Sequence, residues 1–401
     1  MTNNLTEQFI REHLTADVRA IALSAHPDGV DMQYALTQIS GWQAARAKIP
    51  LWADTEGIIY PKHLPMEQCT SQHIAQYKAS VVEQLIGKDF KMADLTGGFG
   101  VDCYFISRSA SGTCYNEMSG ELCDIALNNY KILQRSDIAV TCGSAEDFIA
   151  QQHDSFDLLY LDPARRGDAG RKLISIKDCQ PDVKALQDSL LKVSKHVMVK
   201  LSPMLDISRA LTELRNVSRI LIIGLEGECK ELVFILERGY TQEPVLEAID
   251  INTDGTLGMT ISSAKSAENA LPLPVADPVL LQPGTFISEP SAPYMKSALF
   301  RTIAATTGTA LLHPDTHLFW SKEKPESFPG RIFKLEGIIP FDKRSLSALT
   351  KTQANLSVRN FPETAPALQQ KLKLRDGGPR YLIATTLKDG KRVLLNLQKE
   401  K

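Results

Sequence analysis

The stretch Met92-Ala93-Asp94-Leu95-Thr96-Gly97-Gly98-Phe99-Gly100-Val101-Asp102 constrains this chain more than any other. A short apolar run closes on an acid, closely spaced glycines follow, and Cys103-Tyr104-Phe105-Ile106 then has room to begin a helix. Glycine permits the tight turn and the close approach of backbone to a ligand, so the order reads strand, loop, helix, with a small-molecule cradle between. The alternation continues. Thr113-Cys114-Tyr115 ends in Asn116-Glu117, placing an acid about twenty residues past the glycines, where folds of this kind hydrogen-bond a ribose diol. Helical spacing runs from Leu122 to Leu133, Ile138 to Thr141 reads as a strand, and Gly143-Ser144-Ala145-Glu146-Asp147-Phe148 opens another helix. Phe156 to Leu161 is nearly continuously apolar, as a strand covered on both faces must be, and it delivers Asp162-Pro163-Ala164-Arg165-Arg166-Gly167. Such alternation specifies an α/β fold whose polar groups gather at the carboxyl ends of the strands.

In this order the motifs resemble those of the class I S-adenosylmethionine-dependent methyltransferases, over about Ala75 to Glu237. The resemblance implies a Rossmann-like domain with S-adenosyl-L-methionine as cofactor. It assigns the methionine part to Asp94, Thr96 and the Gly98/Gly100 loop, the ribose hydroxyls to Glu117, and the adenine edge to Ser144 and Ala145, although family members often carry an acid where Ser144 stands. Asp162-Pro163 resembles the fourth motif, which in nucleic-acid methyltransferases lines the place where the target base meets the methyl group. Asp162, Pro163 and Lys200 are therefore expected at the reaction centre, with Arg165, Arg166 and Ser202 toward the substrate.

The fourth motif also narrows the chemistry. Amino-methylating enzymes of nucleic acids usually follow the acid or amide with two prolines and an aromatic that stacks on the extruded base; here Ala164 and Arg165 stand in the last two places. An arginine plane can stack on a base or pair with phosphate. The run is closer to the Asp-Pro-Pro-Arg-x-Gly of enzymes that methylate uridine at carbon 5, but those need a cysteine nucleophile on the next strand. That strand reads His196-Val197-Met198-Val199-Lys200-Leu201-Ser202-Pro203, without cysteine, and no spacing places Cys179 or Cys229 at its tip. Direct transfer to nitrogen or oxygen is expected instead.

Upstream, residues 1–84 read as a helical domain, with helical spacing over Thr6 to Leu23 and Asp31 to Ala47 and breaks at Pro50 and Pro61. Thr70 and Ser71 read as caps of an amphipathic helix whose start, Ser71 and Gln72, is expected to fold over the cofactor as in several RNA methyltransferases. The methyltransferase domain is assigned to 85–265. Six prolines between 272 and 293 mark a boundary or extended connector, and small α/β segments are assigned to 270–330 and 331–401. From Arg331 to Lys401 there are fifteen Lys and Arg against six Asp and Glu, whereas the whole chain is formally −2. Basic and aromatic residues beside a glycine turn suit a phosphate backbone.

Ser357-Val358-Arg359-Asn360-Phe361-Pro362 and Leu372-Lys373-Leu374-Arg375-Asp376-Gly377-Gly378 resemble the THUMP-like domain at the carboxyl end of a bacterial methyltransferase family. On this match 270–330 is expected to be ferredoxin-like. The resemblance implies an RNA partner, tRNA or rRNA, contacted by Arg359, Lys373 and Arg375. Alternatives are a methyltransferase of a small molecule or protein, and a non-catalytic cofactor-binding RNA module. No basic-then-apolar leader opens the chain and no apolar run is long enough to span a bilayer. Seven cysteines without a Cys-x-x-Cys pair point to reduced thiols in the cytoplasm. No metal is expected, since Pro314 keeps His313 and His317 off one helix face.

Overall fold

The computed structural model describes residues 3–23, 27–152, 156–165, 176 and 179–400, with only the backbone of Arg165. The chain divides into two compact units, 1–218 with 233–242, and 219–232 with 243–401.

The first unit opens with helices α1 (Asn4–His13), α2 (Val18–Leu23), α3 (Met32–Lys48), α4 (Pro50–Ala53), α5 (His63–Gln68) and α6 (Gln72–Ile86). The single helix expected over Thr6–Leu23 is two helices. Asp17 accepts the amide of Arg19 at 2.9 Å and so starts a second helix, a local bond that competes with continuation of the first. Then follow β1 (Phe90–Asp94), α7 (Val101–Ile106), β2 (Ala110–Glu117), α8 (Gly120–Ile132), β3 (Ile138–Cys142), α9 (Ala145–Ala150), β4 (Phe156–Leu161), β5 (Ala164–Arg165), β6 (Cys179–Gln180), α10 (Val183–Val193), β7 (Ser194–Leu201) and α11 (Ile207–Glu213). Strands pair in the order β3-β2-β1-β4-β7, every neighbour parallel. Leu158, Leu159 and Leu161 of β4 and Val197, Met198 and Val199 of β7 are fully buried, which is why β4 reads as a nearly continuous apolar run and β7 is apolar at its centre. The chain leaves β1 toward β2 and β3, then returns to the other side of β1 as β4. That reversal makes a topological switch point at the carboxyl ends of β1 and β4, the place where open α/β sheets bind ligands.

The division between units falls within β8 (Val217–Leu225) and β9 (Glu228–Glu237). In the second unit β8 pairs in parallel with β10 (Val245–Ile251), which pairs antiparallel with β11 (Ile261–Ala264). Next come α12 (Lys265–Ala270), β12 (Phe286–Pro290), α13 (Ala292–Ser297), α14 (Phe300–Thr307), β13 (Ala310–Leu311), β14 (Phe319–Ser321), β15 (Gly330–Pro340), α15 (Lys343–Ser347), β16 (Asn355–Arg359), α16 (Ala365–Leu372), β17 (Arg380–Thr386) and β18 (Arg392–Lys399). Strands β12 to β18 form one sheet in the order β13-β14-β12-β15-β18-β17-β16. Both of the small C-terminal segments read in the sequence thus contribute to a single sheet. One apolar cluster, built on Ile287, Phe333, Ile383 and Leu395, and a second, built on Leu368, Leu382 and Leu394, supply its core. The proline-rich stretch carries only short elements, and Pro290 closes β12 opposite Gly330.

Candidate active site

Asp94 ends β1 and is fully buried. One carboxylate oxygen accepts the Thr96 amide at 3.1 Å, and the other has no hydrogen-bond partner. Burial, reinforced by the nearby charges of Asp102, Asp162 and Glu117, pushes this carboxyl well above the usual carboxylate range. Beyond it the loop turns through Gly98 at φ +55° and Gly100 at φ +91°, the latter capping α7. Two tyrosines clamp the loop: Tyr115 donates to the Gly98 carbonyl at 2.6 Å and Tyr130 to the Gly100 carbonyl at 3.0 Å. A Cβ on Gly97 would lie 2.0 Å from the Tyr115 ring, and one on Gly100 2.5 Å from the Tyr130 hydroxyl. Glu117, at the end of β2, accepts the Gly98 amide at 3.0 Å and the Ser119 amide at 2.9 Å, so the expected ribose acid sits against the glycine loop.

This cradle fits S-adenosyl-L-methionine. An amino-acid ammonium supplies the donor that the second oxygen of Asp94 lacks, and Glu117 stands beside the same loop to receive a diol. Other expected cofactor contacts have local partners. Ser144 caps α9, accepting the Asp147 amide at 3.0 Å and donating to the Asp147 carboxylate at 2.7 Å, with Ala145 buried behind it. The Thr96 hydroxyl accepts the amide of Asp162 at 2.6 Å, tying the glycine loop to the fourth motif. Ser71 precedes α6 but makes no side-chain cap bond, and its buried hydroxyl has no partner. Gln72 accepts the Leu51 amide at 2.9 Å. Thr70 is not the cap read in the sequence, because its hydroxyl donates to Asp102 at 2.6 Å.

Leu161 pairs with Val199, so Asp162 and Lys200 emerge side by side from β4 and β7. They form an ion pair at 2.6 Å, with Asp162 35% and Lys200 11% exposed at the side chain. Pro163 is buried next to them. Behind Lys200 lies a network that the sequence reading missed. Lys200 donates to the Thr70 hydroxyl at 3.2 Å; Lys78, wholly buried, donates to the same hydroxyl at 3.2 Å and to Tyr160 at 3.1 Å. Lys78 pairs with Asp102 at 2.7 Å, and Tyr160 donates to Asp102 at 2.8 Å. Burial alone would raise the Asp102 carboxyl, but the charges of Lys78 and Lys200 outweigh it and hold the group below the usual range. Two signals were present. Lys78 occupies the buried stripe of α6 with Ile74, Val81 and Val82, where a lysine is rare without a partner, and Tyr160 shares a strand face with Asp162.

Ser202 accepts the Met204 amide at 3.3 Å. Arg166 lies outside the described residues. β5 and β6 place Cys179 opposite Arg165, immediately after the fourth motif, a proximity that spacing did not reveal; the thiol is buried. In the second unit Arg359 and Arg331 both pair with the buried Glu289, each at 2.5 Å, whereas Lys373 and Arg375 are exposed just beyond α16. His313 pairs with Asp315 and His317 stacks on Phe300. Among the described residues, no group of three His, Cys, Asp or Glu is arranged to hold a metal ion, and no helix is long and apolar enough to cross a membrane.

Residues 330–399 match the family model described as THUMP domain-like, and residues 286–329 match a ferredoxin-like domain model. A crystal structure from Porphyromonas gingivalis W83, assigned as a methyltransferase, is 30% identical with a TM-score of 0.82, over 99% of this chain and 98% of that one. An uncharacterised S-adenosylmethionine-dependent methyltransferase of Mycobacterium tuberculosis, from strains CDC 1551 / Oshkosh and ATCC 25618 / H37Rv, is 26% identical over 237 residues. That match covers 58% of this chain and 61% of the mycobacterial protein, so the chain spans less than two thirds of the length of these curated relatives. Fold, cradle and relatives agree, and the chain belongs to the class I S-adenosylmethionine-dependent methyltransferases that carry a C-terminal THUMP-like domain. Its cofactor is S-adenosyl-L-methionine.

Proposed function

We propose that the protein transfers a methyl group directly to a nitrogen or oxygen of an RNA nucleotide, in tRNA or rRNA. The observation that carries this reading is the Asp162–Lys200 ion pair, at 2.6 Å beside the cradle of Asp94 and Glu117. The cofactor supplies a methyl group on a sulfonium, already a good leaving system, so the chain's task is to hold the acceptor in line. Asp162 accepts a hydrogen bond from the acceptor, and Lys200 and Ser202 orient it. The RNA part of the proposal is supported by the THUMP-like match and by the basic balance of residues 331–401, with Lys373 and Arg375 exposed. On this reading 1–84 is a helical domain, 85–265 the catalytic domain, 270–330 the ferredoxin-like segment and 331–401 the RNA-binding end. A cytoplasmic site of action accords with seven cysteines, none of them joined in a disulfide.

The test is to incubate the protein with radiolabelled cofactor and total RNA from cells lacking it, then digest the RNA. A labelled nucleoside is the expected result; cofactor binding without labelled RNA would redirect the search to a small molecule or protein.

A further inference from the structure

The charge balance of the reaction centre discriminates between nitrogen and oxygen, a deepening that rests on the methyl-transfer reading above. Asp162 does not act as a lone carboxylate, because Lys200 neutralises it at 2.6 Å. Lys200 is itself fixed through the Thr70 hydroxyl at 3.2 Å; Thr70 donates to Asp102, and Asp102 is matched by Lys78 at 2.7 Å. Among the described residues, two ammonium groups and two carboxylates therefore alternate through one buried hydroxyl, with Tyr160 closing the far side.

A neutral amine acceptor becomes cationic as its bond to the methyl carbon forms, and a fixed ammonium beside the receiving carboxylate opposes that charge. A hydroxyl makes the opposite demand. It is a poor nucleophile until its O–H bond lengthens, and the oxygen then gathers negative charge that an ammonium stabilises while a carboxylate takes the proton. The pair at 2.6 Å offers both groups at once.

We infer that the acceptor is a hydroxyl, in RNA the ribose 2′-hydroxyl that each internal nucleotide presents, and that Thr70, Asp102 and Lys78 are positioning residues that hold Lys200 charged against it. The acceptor oxygen forms its bond to the methyl carbon as the carbon–sulfur bond breaks, and the sulfur keeps the bonding pair. The hydroxyl proton passes to Asp162 and from there to water, which its partly exposed side chain meets. Lys200 keeps its protons throughout.

Alkaline hydrolysis of the labelled RNA separates the cases, because a 2′-O-methyl group blocks cleavage at its own phosphodiester. Label in alkali-resistant dinucleotides is expected. Label in base-methylated mononucleotides overturns the hydroxyl assignment while leaving methyl transfer to RNA standing, and no label in RNA overturns both. A second measurement needs neither RNA nor turnover: competitive acetylation of the full-length protein with acetic anhydride across pH, read lysine by lysine by peptide mass spectrometry. Thr70→Val is expected to lower the midpoint of Lys200, and Thr70→Ser to restore it. A Lys200 already neutral at pH 7 in the unaltered protein, or indifferent to Thr70→Val, overturns the positioning role. With RNA as substrate, Thr70→Val should lower kcat about tenfold or more at unchanged KM, with recovery in Thr70→Ser.

Discussion

Asp94 destabilises the free protein and becomes useful once a cation binds. Its pKa is raised by burial, so its contribution to stability is present below the ordinary carboxylate range and is lost as pH rises through the raised value. Asp94→Asn should therefore raise the melting temperature of the cofactor-free protein at pH 8, by roughly 2–4 °C for each ~1 kcal/mol recovered, while cofactor binding by calorimetry falls at least about tenfold. In the unaltered protein, affinity should strengthen with rising pH as Asp94 ionises, since only the carboxylate matches an ammonium. Cys179, paired in backbone with Arg165, invites the opposite question. Direct transfer predicts that Cys179→Ala keeps its methylation rate within about twofold, whereas loss of a covalent nucleophile would abolish it. At this scale the sequence was legible at the carboxyl ends of strands: Asp94 and Glu117 end β1 and β2, Asp162 follows β4, and Lys200 is the penultimate residue of β7. Thr70, Lys78 and Asp102 were hidden because they come from a linker and two helices, and only tertiary packing brings them together.

The loop between β1 and α7 is shaped as much by two tyrosines as by its own residues. Gly97 and Gly100 have no room for a Cβ against Tyr115 and Tyr130, but at Gly98 the nearest atom is the Thr96 carbonyl, 3.8 Å away. Gly98→Ala should thus cost only the ~1–2 kcal/mol of a left-handed backbone, whereas Gly100→Ala adds a clash and should cost about 1–3 kcal/mol more, with weaker cofactor binding. Urea denaturation of both variants, each repeated in a Tyr130→Phe background, checks the assignment: relief of the Gly100→Ala penalty there ties it to the hydroxyl. The reason β4 was readable is that burial of its last four residues leaves an apolar run covered on both faces, whereas β2 and β3 keep exposed positions and were read from their place between helices. The break between α1 and α2 was not, because helical apolar spacing continues across it and one aspartate decides the boundary.

Across the whole chain the charges are sorted. Residues 331–401 carry net +9, so the remaining 330 residues carry net −11. An acidic segment repels polyanions and a basic one attracts them, so on the proposed function residues 331–401 are the part of the chain suited to an RNA backbone. Lys373→Glu with Arg375→Glu in the full chain should weaken RNA binding, and flatten its logarithmic salt dependence by roughly 1.5 if both contact phosphate. Filter binding at several salt concentrations measures both, and cofactor affinity should stay unchanged. The basic end was legible from composition alone. What composition could not show is that Arg359 is committed to Glu289 and so differs from Lys373 and Arg375 as a phosphate contact.

Strand β12 lies between β14 and β15 in one sheet, although β12 and β15 fall in segments that match two different family models. A recombination event between residues 329 and 330 would leave both fragments with raw, unpaired strand edges, prone to sticking to any other chain. The two segments are mechanically one cassette, to be inherited, grafted or deleted together.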